Sequence, residues 1–114
     1  MNYPKRGEIW YVNFDPSLGT EINKTRPGLI VSNDSANKYT SKVTVLPLSG
    51  TIAENPLLVI IEPDKNNNLK KRSVIRIPDI TTFDKQRLIN KLGITDHKIM
   101  SEIDSKLRIH LNLK

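Results

Sequence analysis

A chain of 114 residues has the length of one domain spanning 1–114, small enough that a partner or a second copy would help cover its surface. Hydrophobic residues make up 37% and charged residues 26%, a globular balance that excludes a disordered chain, and the lack of cysteine excludes a disulfide framework and thiolate metal sites. The net charge of +6, from 18 Lys and Arg against 12 Asp and Glu, suits a polyanionic partner, with nucleic acid the leading candidate.

The first expected strand is Glu8 to Phe14, where alternation puts Trp10, Val12 and Phe14 on one face. The run from Ile9 to Phe14 is interrupted and too short for a signal core, and nothing nears the roughly 20 apolar residues of a membrane span. A soluble, cytoplasmic protein without a membrane partner is therefore expected. Asp15 to Pro27 follows as a polar loop carrying Thr20, Glu21, Lys24, Thr25 and Arg26, long for a simple hairpin and so a functional candidate.

Further strands are expected at Gly28 to Ser32, Val43 to Leu48, Leu57 to Glu62 (the most apolar run, read as the most buried), Ser73 to Ile77 and Leu88 to Leu92. Between the fourth and fifth, Pro63-Asp64 and Asn66-Asn67-Asn68 spell a turn. The chain's densest basic cluster, Lys70, Lys71, Arg72 and Arg76, comes just after it; this reads equally as a solvated turn or a polyanion contact. Gly93 is expected to end the sixth strand. From Asp96 the period changes: Ile99, Ile103, Leu107 and Leu111 recur at i, i+4, an amphipathic helix with Thr95 or Asp96 as N-cap. The fold class is mainly β (α+β), a small antiparallel sheet curled into a partial barrel with a C-terminal helix packed on it.

His97 and His110 both fall in that helix, 13 residues apart, with no carboxylate or Cys at metal-ligand spacing beside them, and read as ordinary helix histidines rather than as acid and base. The acidic residues are scattered, so no metal site and no cofactor are expected. That leaves Arg and Glu. Pro27 biases Arg26 towards an extended backbone, which would project a guanidinium able to grip a phosphate in two places. Glu21, if brought close, could accept a proton from a ribose hydroxyl, although a surface Glu–Arg pair explains the same residues. Ser49 stands before Gly50 at a strand end, either as a turn-capping serine or as a hydroxyl for a phosphate oxygen.

Several ordered stretches resemble the MazF/PemK/Kid toxins of two-gene toxin–antitoxin modules: Arg6-Gly7-Glu8-Ile9-Trp10, Gly19-Thr20-Glu21, and Lys24 through Asp34. Val45-Leu46-Pro47-Leu48-Ser49, Ser73-Val74-Ile75 and Thr82 through Leu88 continue the likeness along nearly the whole chain. The resemblance implies an SH3-like barrel, a homodimer, an acidic cognate antitoxin, and metal-independent cleavage of single-stranded RNA or mRNA that leaves a 2′,3′-cyclic phosphate and a 5′-hydroxyl. Arg26 falls on the family's essential arginine, Ser49 on its paired hydroxyl and Glu21 on an acidic residue of less uniform role. Thr20, Lys24, Thr25, Lys70 and Arg76 are the candidate RNA contacts. Two departures stand out: Ile22 replaces a frequent Gln, and Pro78 occupies the place of an Asp used by some relatives, with Asp79 displaced by one.

Two other readings share the fold. A gyrase inhibitor of the CcdB-like kind is expected to end in an aromatic residue followed by hydrophobics, whereas this chain has no aromatic after Phe83. A binding-only module would use the basic surface without needing Arg26 and Ser49.

Overall fold

The structure is a computed structural model, and it describes residues 3–14, 25–50 and 55–114. Seven strands are seen among the described residues: β1 (Glu8–Asn13), β2 (Thr25–Ile30), β3 (Lys42–Ser49), β4 (Leu58–Ile61), β5 (Ser73–Arg76), β6 (Thr81–Asp84) and β7 (Leu88–Ile94). A short helix α1 (Asp34–Tyr39) follows β2, and α2 (His97–Leu111) ends the fold. All pairings are antiparallel, in the order β4-β5-β3-β2-β1-β7, with β6 alongside β3. The sheet is not closed, since β4 and β7 are its end strands.

β3 organises the sheet because it changes neighbours along its length. One edge pairs with β2 over Val45–Pro47. Its other edge pairs first with β6 over Lys42–Val45, then with β5 at Leu48 and Ser49. The bond from Val31 N to the Thr44 carbonyl (3.0 Å) fixes the alternation, so that Thr44, Leu46 and Leu48 present their backbone groups towards β2. Pro47 therefore turns its missing N–H to the opposite edge, between the start of β6 and the end of β5, where no ladder bond is lost.

The two faces of the sheet bury separate clusters. Ile9, Leu29, Leu46, Leu48, Ile75 and Ile103 belong to the larger, which α2 covers through Ile99, Met100, Ile103 and Leu107. Val12, Ile30, Val43 and Val45 form the smaller, with Trp10 and Phe14 packed on it as the alternation along β1 predicts. Arg6 joins sheet and helix: its Nε donates to the Val31 carbonyl (2.9 Å), and its guanidinium is ion-paired with Asp104 of α2.

Several expectations need correcting. β2 begins at Thr25 rather than Gly28, so the loop read as Asp15 to Pro27 ends earlier. β4, read as the most buried strand, is an end strand whose Ile60 is 40% exposed. Gly93 lies inside β7 instead of ending it. The helix is capped at Asp96, whose side chain accepts from Ile99 N (2.8 Å), but Leu111 leaves the buried stripe and is 47% exposed. Spacings of four residues overshoot the 3.6-residue turn by about 40° each, and three of them carry Leu111 away from the sheet.

Candidate active site

A groove of about 890 Å³ opens where β2 and β3 part. Their ladder runs from Ile30↔Val45 to Gly28↔Pro47 and then stops. Beyond it β3 turns to β5, while Thr25, Arg26 and Pro27 continue along β1. Both strand ends line the groove, Thr25 to Pro27 on one side and Leu48 to Gly50 on the other. Arg26 stands two residues beyond Gly28 and Ser49 two residues beyond Pro47. The two are thus the residues that would face each other if the ladder had continued. Both are half-buried.

Pro27 sits at the fork for a physical reason. The bond from Gly7 N to the Ile30 carbonyl (2.9 Å) shows that Ile30, Gly28 and Arg26 present their backbone groups to β1, so residues 25, 27 and 29 face β3. The N–H that proline lacks would have pointed into the groove.

The connection between β4 and β5 supplies the far wall. Asn67 is buried, and its amide donates to the Glu62 carbonyl (2.9 Å) while its Oδ1 accepts from Asp64 N (3.1 Å) and Leu69 N (2.9 Å). Asp64 Oδ1 in turn accepts from the backbones of Asn66 (2.8 Å) and Asn67 (2.7 Å). Asn68 adopts the left-handed conformation (φ 56°) and donates its amide to the Leu92 carbonyl (2.7 Å). This buckled turn rests on β7 at Gly93, where a Cβ would lie 2.2 Å from the Asn66 carbonyl oxygen; only glycine fits. Asn68, Leu69, Lys70 and Lys71 consequently line the groove, with Tyr11, Ser73 and Leu92 completing it.

The lining carries Arg26, Lys70 and Lys71 and, among the described residues, neither a carboxylate nor an imidazole. Such a surface attracts anions. Arg76 is not brought to this groove; its Nε bonds Asp79 Oδ2 at 2.7 Å, the very Asp displaced by one in sequence. Glu21, Thr20 and Lys24 lie outside the described residues. His97 is exposed beside a separate cavity with Arg6 and Thr95, and His110 stands near the end of α2, so neither reaches the groove. No group of three His, Cys, Asp or Glu residues suited to a metal occurs among the described residues. No helix among them is long and apolar enough to cross a membrane. Sequence reasoning did not single out Tyr11 or Asn68, whose places depend on how β1 and the turn meet β7.

Elsewhere, among the described residues, Glu8 is a carboxylate whose pKa is shifted. Burial pushes its pKa up, but bonds accepted from Lys5 N (2.9 Å) and Trp10 Nε1 (2.9 Å), with Lys91 Nζ at 3.1 Å, outweigh this and hold it below the usual carboxylate value.

Residues 5–111 match the family described as PemK-like, MazF-like toxin of type II toxin–antitoxin system. The chain is 33% identical over 110 residues to Endoribonuclease EndoA of Bacillus subtilis (strain 168), covering 96% of this chain and 95% of that protein. Among solved structures it is similar to a mycobacterial endoribonuclease in complex with its cognate antitoxin, with 28% identity, 97% of each chain covered and a TM-score of 0.79. MazF from Deinococcus radiodurans shares the fold at a TM-score of 0.82, with 23% identity, 99% of this chain and 100% of that chain covered. With the fork, the basic wall and the matched length in place, the chain belongs to the PemK-like, MazF-like family of type II toxin–antitoxin toxins.

Proposed function

We propose that the groove at the β2–β3 fork is the catalytic cleft of this toxin endoribonuclease, where single-stranded RNA, including mRNA, is bound and cut at short sequences without a metal. The observation that carries the reading is Arg26 and Ser49 flanking one groove that holds three cations and no carboxylate among its described residues. In the reaction the ribose 2′-oxygen bonds to phosphorus as the bond to the 5′-oxygen breaks. A 2′,3′-cyclic phosphate and a 5′-hydroxyl remain, and the proton lost from the 2′-hydroxyl is balanced by one gained at the 5′-oxygen. Arg26 grips the scissile phosphate and offsets the charge that builds on its oxygens. Ser49 hydrogen-bonds the phosphate or the leaving oxygen.

Glu21 is the proposed base for the 2′-hydroxyl. Thr20, Lys24, Thr25 and Lys70 hold neighbouring nucleotides, and Arg76, tied to Asp79, meets the RNA only where the strand extends past the groove. An acidic antitoxin segment that folds onto the basic groove would block it, consistent with the net charge of +6. Exposed apolar side chains such as Ile89, Ile94 and Ile109 offer surface for the second copy of a homodimer, and the setting of a toxin acting on mRNA is the cytoplasm.

Purified protein incubated with RNA in excess chelator should cut it at a short sequence, and Arg26→Ala should leave it intact. Uncut RNA from the native protein across many sequence contexts would sink the reading.

A further inference from the structure

Arg26 and Ser49 account for one side of the cleft, and the β4–β5 connection brings a further cation to the same point. A Cβ placed on Gly50 would lie 3.0 Å from Lys71 Nζ and 3.2 Å from its Cε, so the ammonium rests over the residue that follows Ser49. Three fixtures hold the connection there. Leu69, two residues before, is buried in the core and bonded through its N–H to Asn67 (2.9 Å). Ser73, two residues after, is buried, and its Oγ donates to the Lys71 carbonyl at 3.0 Å. Arg72 is drawn the other way by Glu62, with Nε to Oε2 at 3.1 Å. Lys71 itself has no ion pair among the described residues.

We propose that Lys71, rather than its neighbour Lys70, is the second phosphate-binding cation of the cleft, holding a non-bridging oxygen of the scissile phosphate from the side opposite Arg26. This rests on the reading of the groove as an RNA-cleaving site. Glycine at 50 is part of the arrangement, because a Cβ there would crowd the ammonium at 3.0 Å and make it give way by a few tenths of an ångström. No proton moves through Lys71; it stays an ammonium and acts by charge and hydrogen bonding on the pentacoordinate phosphorus, where the added negative charge makes the contact stronger than in the bound substrate.

The test uses the full chain and an RNA oligonucleotide that the native protein cuts, with single-turnover rates at saturating RNA. Lys71→Met should slow the step roughly 100-fold, as loss of one preorganised donor to a developing anion does, while Lys71→Arg keeps most of the rate. Lys70→Met should lower the saturated rate far less than Lys71→Met, and Lys98→Met, which removes an exposed cation of α2 outside the cleft, should leave it unchanged. Gly50→Ala should slow the native protein modestly yet add nothing to Lys71→Met, because it acts only by displacing the Lys71 ammonium. A native saturated rate in Lys71→Met, or effects of Gly50→Ala and Lys71→Met that simply multiply, would overturn the assignment and leave the cleft's function standing. Absence of cleavage by the native protein would overturn both.

Discussion

Arg26 and Ser49 share one register position across strands that no longer pair, two residues past the Gly28–Pro47 pair that ends the β2–β3 ladder. The ladder fixes their separation, and the divergence beyond it leaves room for a phosphate. Arg26→Ala is expected to lower RNA cleavage about 1000-fold and Ser49→Ala about 100-fold, with Ser49→Thr close to native. Thermal melting should be almost unchanged for all three, since neither residue belongs to the buried core. A large drop in melting temperature for Arg26→Ala would mean that the residue supports the fold instead.

Gly93→Ala should be among the most damaging single-methyl changes in the chain. The added carbon meets three backbone atoms of the turn, at 2.2 Å from the Asn66 carbonyl oxygen and 2.8 and 2.9 Å from Asn67 atoms, and backbone cannot swing aside as a side chain can. A cost of about 3 kcal/mol is expected from such overpacking. Denaturant unfolding measures it. The turn bearing Lys70 and Lys71 should lift off β7, so the folded fraction should also cut RNA more slowly.

Glu8 gives the fold an acid-sensitive joint between the N-terminal segment, β1 and β7. Its folded pKa lies below the ordinary 4.5, so the stabilisation it contributes is complete above that value and is lost as the pH falls through the folded pKa. Glu8→Gln should therefore be less stable than the native protein at neutral pH. The gap between their unfolding midpoints should close on acidification below about 4.5. A gap constant from pH 7 to 3 would show that the carboxylate's charge contributes nothing.

How far the sequence reveals all this depends on where each signal lives. β3, β5 and α2 are legible because their apolar residues face a core at the spacing of their own element. β6, Thr-Thr-Phe-Asp, has no such pattern, being mostly exposed and held by its pairing with β3. α1 is too short to show a helical period, though Asn33 caps it by accepting from Ala36 N at 2.8 Å. Gly93 reads as a stop because glycine often is one, whereas its reason here is a turn from elsewhere in the chain. Arg26 and Ser49 are recognisable from the resemblance, yet their shared register is written only in the pairing of β2 with β3. Likewise, nothing in the run Lys70-Lys71-Arg72 says which cation lies over Gly50; the fold of the connection decides it.

Pro27 acts as a stop on a zipper. Leu48 faces β2 and residue 27 faces β3, so the next rung of the ladder would join them, and proline withholds one of its two hydrogen bonds. Pro27→Val restores that donor in a residue suited to strands. Such a chain should protect the new residue-27 amide from hydrogen exchange, melt no lower than the native protein, and cut RNA about 10-fold more slowly as Arg26 and Ser49 are drawn into the sheet. On this view the cleft persists because one strand is chemically unable to finish pairing, and an easy route to a sturdier sheet leads directly to a disarmed toxin.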